Sequence, residues 1–380
     1  MMCWLTVFLV ASGCLYCIIL AVFICGFERN PEGASKERPF VSVVTAARNE
    51  AGCIDALIQA LLAQKYPGGR FELILVNDRS TDDTGSIMGR YARASRRLRI
   101  LHITETHAGM APKKWALNKG IEAAKGDIIL TTDADCVPPP GWIAGMISFF
   151  EQDVGLVAGF SPLVLNASGS LLHRFIALES VALAAVAAGS AGAGMPLTCS
   201  GRNLAYRKEV FRQIGGFGRI GTLISGDDDL LLHLVRDQTG WRIRYALNPQ
   251  TFVPSVPARS MGHFSHQRRR HASKGFHYTP LMIVGLLWVY LFNAALVTAL
   301  FFPSVLPVLV TVFGVKSVSE YLLLLKASRV FRQTGTLRIF PVAVCFHFIY
   351  VTVFGLWGQF GRFRWKSERT LKRIKTPGMQ

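Results

Sequence analysis

Residues 3 to 25, from Cys3 through Cys25, form an almost unbroken apolar run without a single charge. About 20 such residues cross a bilayer as a helix, so the run predicts a membrane span. It lacks a basic start, is long for a signal core and shows no convincing small-residue cleavage site before Phe27, so it reads as a retained anchor rather than a cleaved signal peptide. Half of the 380 residues are apolar (51%), which fits membrane content beyond one helix. Further candidate spans lie near residues 280 to 302, 303 to 325 and 339 to 358. The middle one carries Lys316 and Glu320. A charge at the centre of a lone helix costs about 2.5–3.5 kcal/mol on insertion scales. This segment therefore packs inside a bundle, pairs its charges at i and i+4, or lies at the interface. Two or three C-terminal membrane segments are expected.

The formal charge of +18 does not point to nucleic acid, because there is no recognition motif and no aromatic interleaving. The basic residues gather beside apolar segments instead: Lys326, Arg329, Arg332 and Arg338 before the last one, then Arg362 through Lys375 after it. Such clusters suit cytoplasmic flanks that face anionic lipid. If the last segment crosses once, its flanks lie on opposite sides, so either it is re-entrant or interfacial or one flank is an exception. The eight cysteines are scattered, four of them in the first span, which suits apolar packing in a reducing compartment.

Between the membrane segments the pattern changes. A charged, Pro- and Gly-containing stretch from Glu28 to Pro39 reads as a linker. Short β-branched runs at 40–45, 71–76 and 127–132 alternate with helix-like stretches at 54–64, 84–94 and 113–125. That order predicts a parallel sheet with right-handed crossovers, in which ligands bind beyond the carboxyl ends of the strands. The expected organisation is an anchor at 1–27, a linker at 28–39, an α/β domain at 40–278, membrane segments at 279–360 and a basic tail at 361–380. The Ala- and Gly-rich stretch 177–194 suits either a close-packed helix or a shallow membrane-surface element.

Polar clusters stand at the strand exits. The first is Ala46-Ala47-Arg48-Asn49-Glu50 and the second runs from Asn77-Asp78 to Thr84. Both also suit helix capping, which Ser, Thr and Asp routinely provide. The third exit, Thr131-Thr132-Asp133-Ala134-Asp135-Cys136, sets two carboxylates two residues apart. Carboxylates held so close repel unless a cation joins them, and a divalent ion shared with a diphosphate answers that need. Further on, Ser225-Gly226-Asp227-Asp228-Asp229-Leu230 crowds three acids together, which favours a proton acceptor poised above its free value.

Taken in order, these motifs resemble the family-two glycosyltransferases, from about Pro39 to Lys274. The matching elements are Arg48-Asn49-Glu50, the Asp78 to Thr84 turn, Lys113 to Asn118, and Asp133 with Asp135. The resemblance implies a GT-A fold (Rossmann-like, with a mostly parallel sheet) carrying N- and C-terminal transmembrane helices. It also implies an inverting transfer of a sugar from a nucleotide-diphospho-sugar, with a UDP-sugar favoured, to an acceptor hydroxyl; the membrane segments favour a lipid or other membrane-borne acceptor, which would share one surface with the anchor.

Under that resemblance Arg48, Asn49, Glu50, Asp78, Lys113 and Asp133 bind substrate, with Asp78 on the nucleoside. Asp133 and Asp135 hold Mg2+ or Mn2+, and Asp228 is the base beside its acidic partner Asp227. Gln267, Arg269 and Arg270 lie in a match to the family's Gln-x-x-Arg-Trp signature, where guanidinium forks suit a diphosphate. His271 stands where the aromatic is usual, which argues against a processive polysaccharide synthase, as do the few spans. A non-catalytic membrane scaffold that keeps the fold is the other alternative, and the intact Asp133, Asp135 and Asp228 weigh against it. The expected setting is the cell's inner membrane with the catalytic domain cytoplasmic.

Overall fold

The computed structural model describes residues 2–164, 170–257, 261–357, 363–365 and 368–370, the last two stretches by backbone alone. The basic stretch after residue 361 therefore lies outside the described side chains. The chain divides into an α/β unit (30–164, 194–257 and 364–380) and a helical unit (1–29, 165–193 and 258–363).

The α/β unit is built on a seven-stranded sheet. Its strands are β1 (Val41–Ala47), β2 (Phe71–Asp78), β3 (Leu98–Ile103), β4 (Ile128–Thr131), β5 (Val154–Gly159), β6 (Leu204–Arg207) and β7 (Arg242–Ala246). In space they run β3-β2-β1-β4-β6-β5-β7. All neighbours are parallel except β6, which is antiparallel to both β4 and β5. The mostly parallel sheet expected from the sequence is present, with this one reversed strand and four strands beyond the three legible ones. β1 and β4 are buried along nearly their whole length rather than alternating between buried and exposed, because helices cover both faces. On one face Val43, Leu73 and Leu130 pack with Ile54, Leu57 and Leu61 of the helix Ile54–Leu62 and with Trp142 and Ile143.

Strand register aligns the functional edge. Ala47 of β1 pairs with Asn77 of β2, Val44 pairs with Thr131 of β4, and Thr131 pairs with Leu204 at the start of β6. The exits of three parallel strands and the entry of the reversed one therefore open on the same side.

Among the described residues, five helices of the helical unit are long and apolar enough to cross a membrane: Met2–Glu28, Leu171–Gly192, Pro280–Ala299, Pro303–Val330 and Thr334–Trp357. The second of these was expected to fall inside a continuous α/β domain. It groups with the apolar helices instead, as does the helix Met261–Ala272. Its alanines, with Arg174 and Glu179 among them, dilute the apolar signal that marks the others. The charges of the middle C-terminal candidate are paired: Lys316 is fully buried, with Nζ 2.7 Å from Glu320 Oε1, and Tyr16 donates to the same oxygen at 2.8 Å.

Small residues let the first two helices touch backbone to backbone. A Cβ on Gly26 would lie 2.0 Å from the carbonyl oxygen of Gly189, and one on Gly189 would lie 2.7 Å from the Phe23 carbonyl. Close approach of this kind is how helices gain packing contacts in an apolar solvent. Gly189→Val is therefore expected to destabilise the helical unit by about 3 kcal/mol, at the upper end of overpacking costs because backbone rather than a flexible side chain is displaced. Thermal unfolding in detergent reads this, and an unchanged midpoint would refute the contact.

Candidate active site at the carboxyl edge of the sheet

The first two polar exits interlock. Asn49, with φ +55, donates its backbone N–H to Ser80 Oγ at 3.1 Å and accepts from Thr81 N at 2.8 Å through Oδ1. Glu50 N donates to Thr84 Oγ1 (2.8 Å) and Ala51 N to Asp82 Oδ2 (3.0 Å). Hydrogen bonds from Thr84 and from the Ala51 backbone outweigh burial and hold the Asp82 carboxyl below its usual range. Capping and site-building are thus not rival readings here, for Thr84 and Asp82 bind the neighbouring exit. Asp78 is buried at the end of β2, and Arg79, at φ +53, reaches back to it with Nε 2.9 Å from Oδ1.

Lys113 joins the other two motifs. The helix Pro112–Ala123 opens beside β1 and β2, and Lys113 Nζ lies 2.9 Å from Asp133 Oδ1 and 2.7 Å from Asp227 Oδ2. Burial disfavours the ammonium, but the two carboxylates outweigh it and raise its pKa above the ordinary lysine value. Burial would likewise raise Asp133, yet Lys113 and then Arg202 hold it below the carboxylate range, against the opposing charge of Asp228.

Asp135 has the opposite balance. Its carboxyl is pushed above the usual range by burial first and by Asp133 next, with Glu50 adding to the rise and Arg202 opposing it. Its side chain accepts only a long contact from Cys136 Sγ at 3.6 Å, and no salt bridge reaches it among the described residues. A half-buried carboxylate two residues from another, lacking a cation of its own, is the donor set a hard divalent ion takes. Asp133 and Asp135 fit that role.

The acid triplet faces three ways. Gly226, at φ +87, turns the chain into the helix Asp229–Gln238. Asp227 meets Lys113. Asp228 caps that helix by accepting from Asp229 N (2.8 Å), and its other oxygen accepts from Gly201 N (3.1 Å). Asp229 is 3% exposed and turns inward to accept from Leu230 N. The three carboxylates therefore do not share one surface. A cleft lined by Lys113, Asp133, Asp227, Gly201, Tyr206 and Phe217 lies between these groups.

Arg202 and Asn203, which the sequence offers only as part of the run Thr198 to Tyr206 leading toward the acid triplet, have roles that the sequence did not assign. Arg202 donates to Ser255 Oγ (3.0 Å) and supplies positive charge to both Asp133 and Asp135. The need of two close carboxylates for a fixed cation, with an arginine in the Ser-Gly-Arg-Asn run, was the available signal. Asn203, fully buried, accepts from Trp142 Nε1 (2.9 Å) and donates to the carbonyls of Phe160 (2.9 Å) and Thr251 (2.7 Å), which anchors the entry to β6. Gln267, Arg269 and Arg270 lie on the helix Met261–Ala272 of the helical unit, where Arg268 pairs with Glu179 at 2.9 Å and Arg269 sits 4.9 Å over the Trp357 ring.

The sequence profile of Glycosyl transferase family 2 matches residues 42–215. The chain is 31% identical over 225 residues to "Probable glycosyltransferase YdaM" of Bacillus subtilis, covering 58% of this chain and 52% of that protein. It is 32% identical over 120 residues to "Beta-monoglucosyldiacylglycerol synthase" of Nostoc sp., covering 31% of this chain and 25% of that one. The chain thus spans about half the length of the first relative and a quarter of the second. Among solved structures it is similar to the mannosyltransferase PcManGT from Pyrobaculum calidifontis, in complex with GDP-Man and Mn2+, with a TM-score of 0.59 over 93% of this chain and 99% of that chain. At 19% identity this likeness speaks to the fold.

Proposed function

With residues 42–215 matched by the profile of Glycosyl transferase family 2 and the fold shared with a solved mannosyltransferase, we propose that this chain is a membrane-anchored, inverting glycosyltransferase of the GT-A fold. It moves a sugar from a nucleotide-diphospho-sugar, a UDP-sugar in the first instance, to a hydroxyl of a membrane-borne lipid. The observation that carries the reading is the Lys113 bridge, which draws the Asp133–Asp135 turn and the Asp227–Asp228 run to one ammonium. Motifs about 90 residues apart in sequence are thereby within reach of one small substrate.

In this reaction Asp228 takes the proton from the acceptor hydroxyl, the freed oxygen attacks the anomeric carbon from the face opposite the leaving group, and the bond to the nucleoside diphosphate breaks. Asp133 and Asp135 would hold a divalent cation, Mg2+ or Mn2+, which when bound neutralises charge building on the departing diphosphate. Lys113 and Arg202 keep fixed positive charge at the same edge, where preorganised charge is worth most. Asp78 and the interlocked loop of Arg48, Asn49 and Glu50 form the nucleoside side.

The lipid acceptor is supported by the five helices of membrane-crossing length and by the name of the Nostoc relative, a synthase of a glucosylated diacylglycerol. Incubating the membrane-embedded chain with a panel of nucleotide sugars and a lipid extract tests the reading. Acceptor-dependent release of nucleoside diphosphate is expected, and no release with any donor would refute it. Cytosolic donors place the α/β unit on the cytoplasmic side of the inner membrane. Protease added outside right-side-out vesicles should therefore leave it intact, and its digestion there would contradict that orientation.

A further inference from the structure

The helix Pro112–Ala123 begins with two adjacent lysines, and only the first enters the acidic cleft. Successive helical residues point about 100° apart, so the second must go elsewhere. Lys114 goes inward: it is 1% exposed, and its Nζ donates to the carbonyls of Ile220 (2.7 Å), Leu223 (2.8 Å) and Ser225 (2.9 Å). These three bonds match the three protons of an ammonium.

Burying a charged amine is costly unless dipoles surround it. Here the cost is met by carbonyls from a loop with little regular structure, which the charge gathers into one shape. A further tie joins the same parts, from Ala111 N to Gly221 O at 2.7 Å. The gathered loop ends at Ser225 and Gly226, directly before Asp227 and Asp228. One helical turn thus grips the acid run twice, Lys113 by the side chain of Asp227 and Lys114 by the backbone that delivers it.

We infer that Lys114 is a positioning residue for sugar transfer: it sets the shape of the 220–225 loop and, through it, the places of Asp227 and Asp228, without touching substrate. The inference rests on the reading of Asp228 as the base. A misplacement near 1 Å costs about 100-fold in rate, whereas the donor side is reached from this loop only indirectly, through Asp227 and Lys113, so its loss is the smaller one.

The test uses the full chain in membranes or detergent and the nucleotide sugar that the wild type turns over. For Lys114→Met, kcat per folded molecule is expected to fall about 10- to 100-fold, with donor KM within about threefold of wild type. Amide exchange over residues 218–228 should quicken. In a double-mutant cycle, Lys114→Met added to Asp228→Asn should cause little further loss, because both act through the same step. Should Lys114→Met not fold, Lys114→Gln, which keeps an amide donor, is read by the same criteria.

A kcat per folded molecule within about twofold of wild type, a raised KM with normal kcat, or fully additive losses in the cycle would overturn the inference. If Asp228→Asn itself transfers sugar normally, the base assignment fails. A kcat-only loss in Lys114→Met would then still mark the loop as rate-setting, so the two failures are distinguishable.

Discussion

Asp135→Asn is expected to abolish sugar transfer while leaving the fold intact. Asp135 sits at the end of a turn whose backbone is anchored independently of its side chain, with Thr132 Oγ1 donating to Arg202 O at 2.8 Å and Val137 N donating to Pro254 O at 2.9 Å. The carboxylate itself contributes little to that anchoring. Its charge is unfavourable where it stands, raised in pKa by burial and by Asp133, so a neutral amide should be tolerated or even favoured by the folded state. What is lost is a hard-cation ligand. A bound metal supplies several kcal/mol to such transfers, and at 1.36 kcal/mol per decade that corresponds to a loss of about 10³-fold. Two measurements separate the possibilities: retention of Mn2+ on dialysis, and turnover. Loss of both with an unchanged unfolding midpoint is the expected pattern, and full wild-type activity in a chelator would end the metal reading.

The second large effect is expected at Asp228. Removing a positioned base costs about 10²–10⁴-fold in rate, while loss of a donor-binding group mainly weakens affinity for the nucleotide sugar. Asp227 is engaged by Lys113, and Asp229 is turned into the helix and buried. Asp228 is held by Gly201 N and Asp229 N, which fix its direction. Asp228→Asn should therefore lose transfer with donor affinity retained. Asp227→Asn, which frees Lys113 from one partner, should disturb the donor side as well, because the same ammonium holds Asp133. Donor affinity and transfer rate measured across all three asparagine variants decide the register. If Asp228→Asn stays active while Asp227→Asn or Asp229→Asn transfers nothing yet binds donor normally, the base is a neighbour of Asp228. If all three stay active, the triplet is a capping turn.

Much of the framework of the candidate site is legible in the sequence. β1, β2 and β4 are buried on both faces and read as continuous β-branched runs, and the exits that follow them are polar. The strands β3, β5, β6 and β7 were not legible, for local reasons, β3 being broken by Arg99 and His102. β5 is interrupted by glycine, β6 has four residues, and β7 alternates with arginine. Their pairing rests on partners far along the chain, and the reversal of β6 follows from long-range hydrogen bonding that no local pattern encodes. The helix Leu171–Gly192 was hidden by its alanines, whose small size is what allows the close packing at Gly189.

The sequence by itself determined which chemistry was available: carboxylates at strand ends, a lysine at a helix start, and apolar runs long enough to cross a bilayer. Those follow from residue type and spacing, because period and polarity decide which segments bury themselves. Only the tertiary structure decided what each charge does. Lys113 and Lys114 are neighbours of the same type, yet one bridges two carboxylates and the other is sealed among carbonyls. Asp227, Asp228 and Asp229 are indistinguishable as letters, and they separate into an ion-pair partner, a directed carboxylate and a buried residue. The reason is geometric: adjacent residues at a helix start point in different directions, and the partners that give each direction its meaning arrive from strands and loops more than 100 residues away, as Asp227 and Ser225 do.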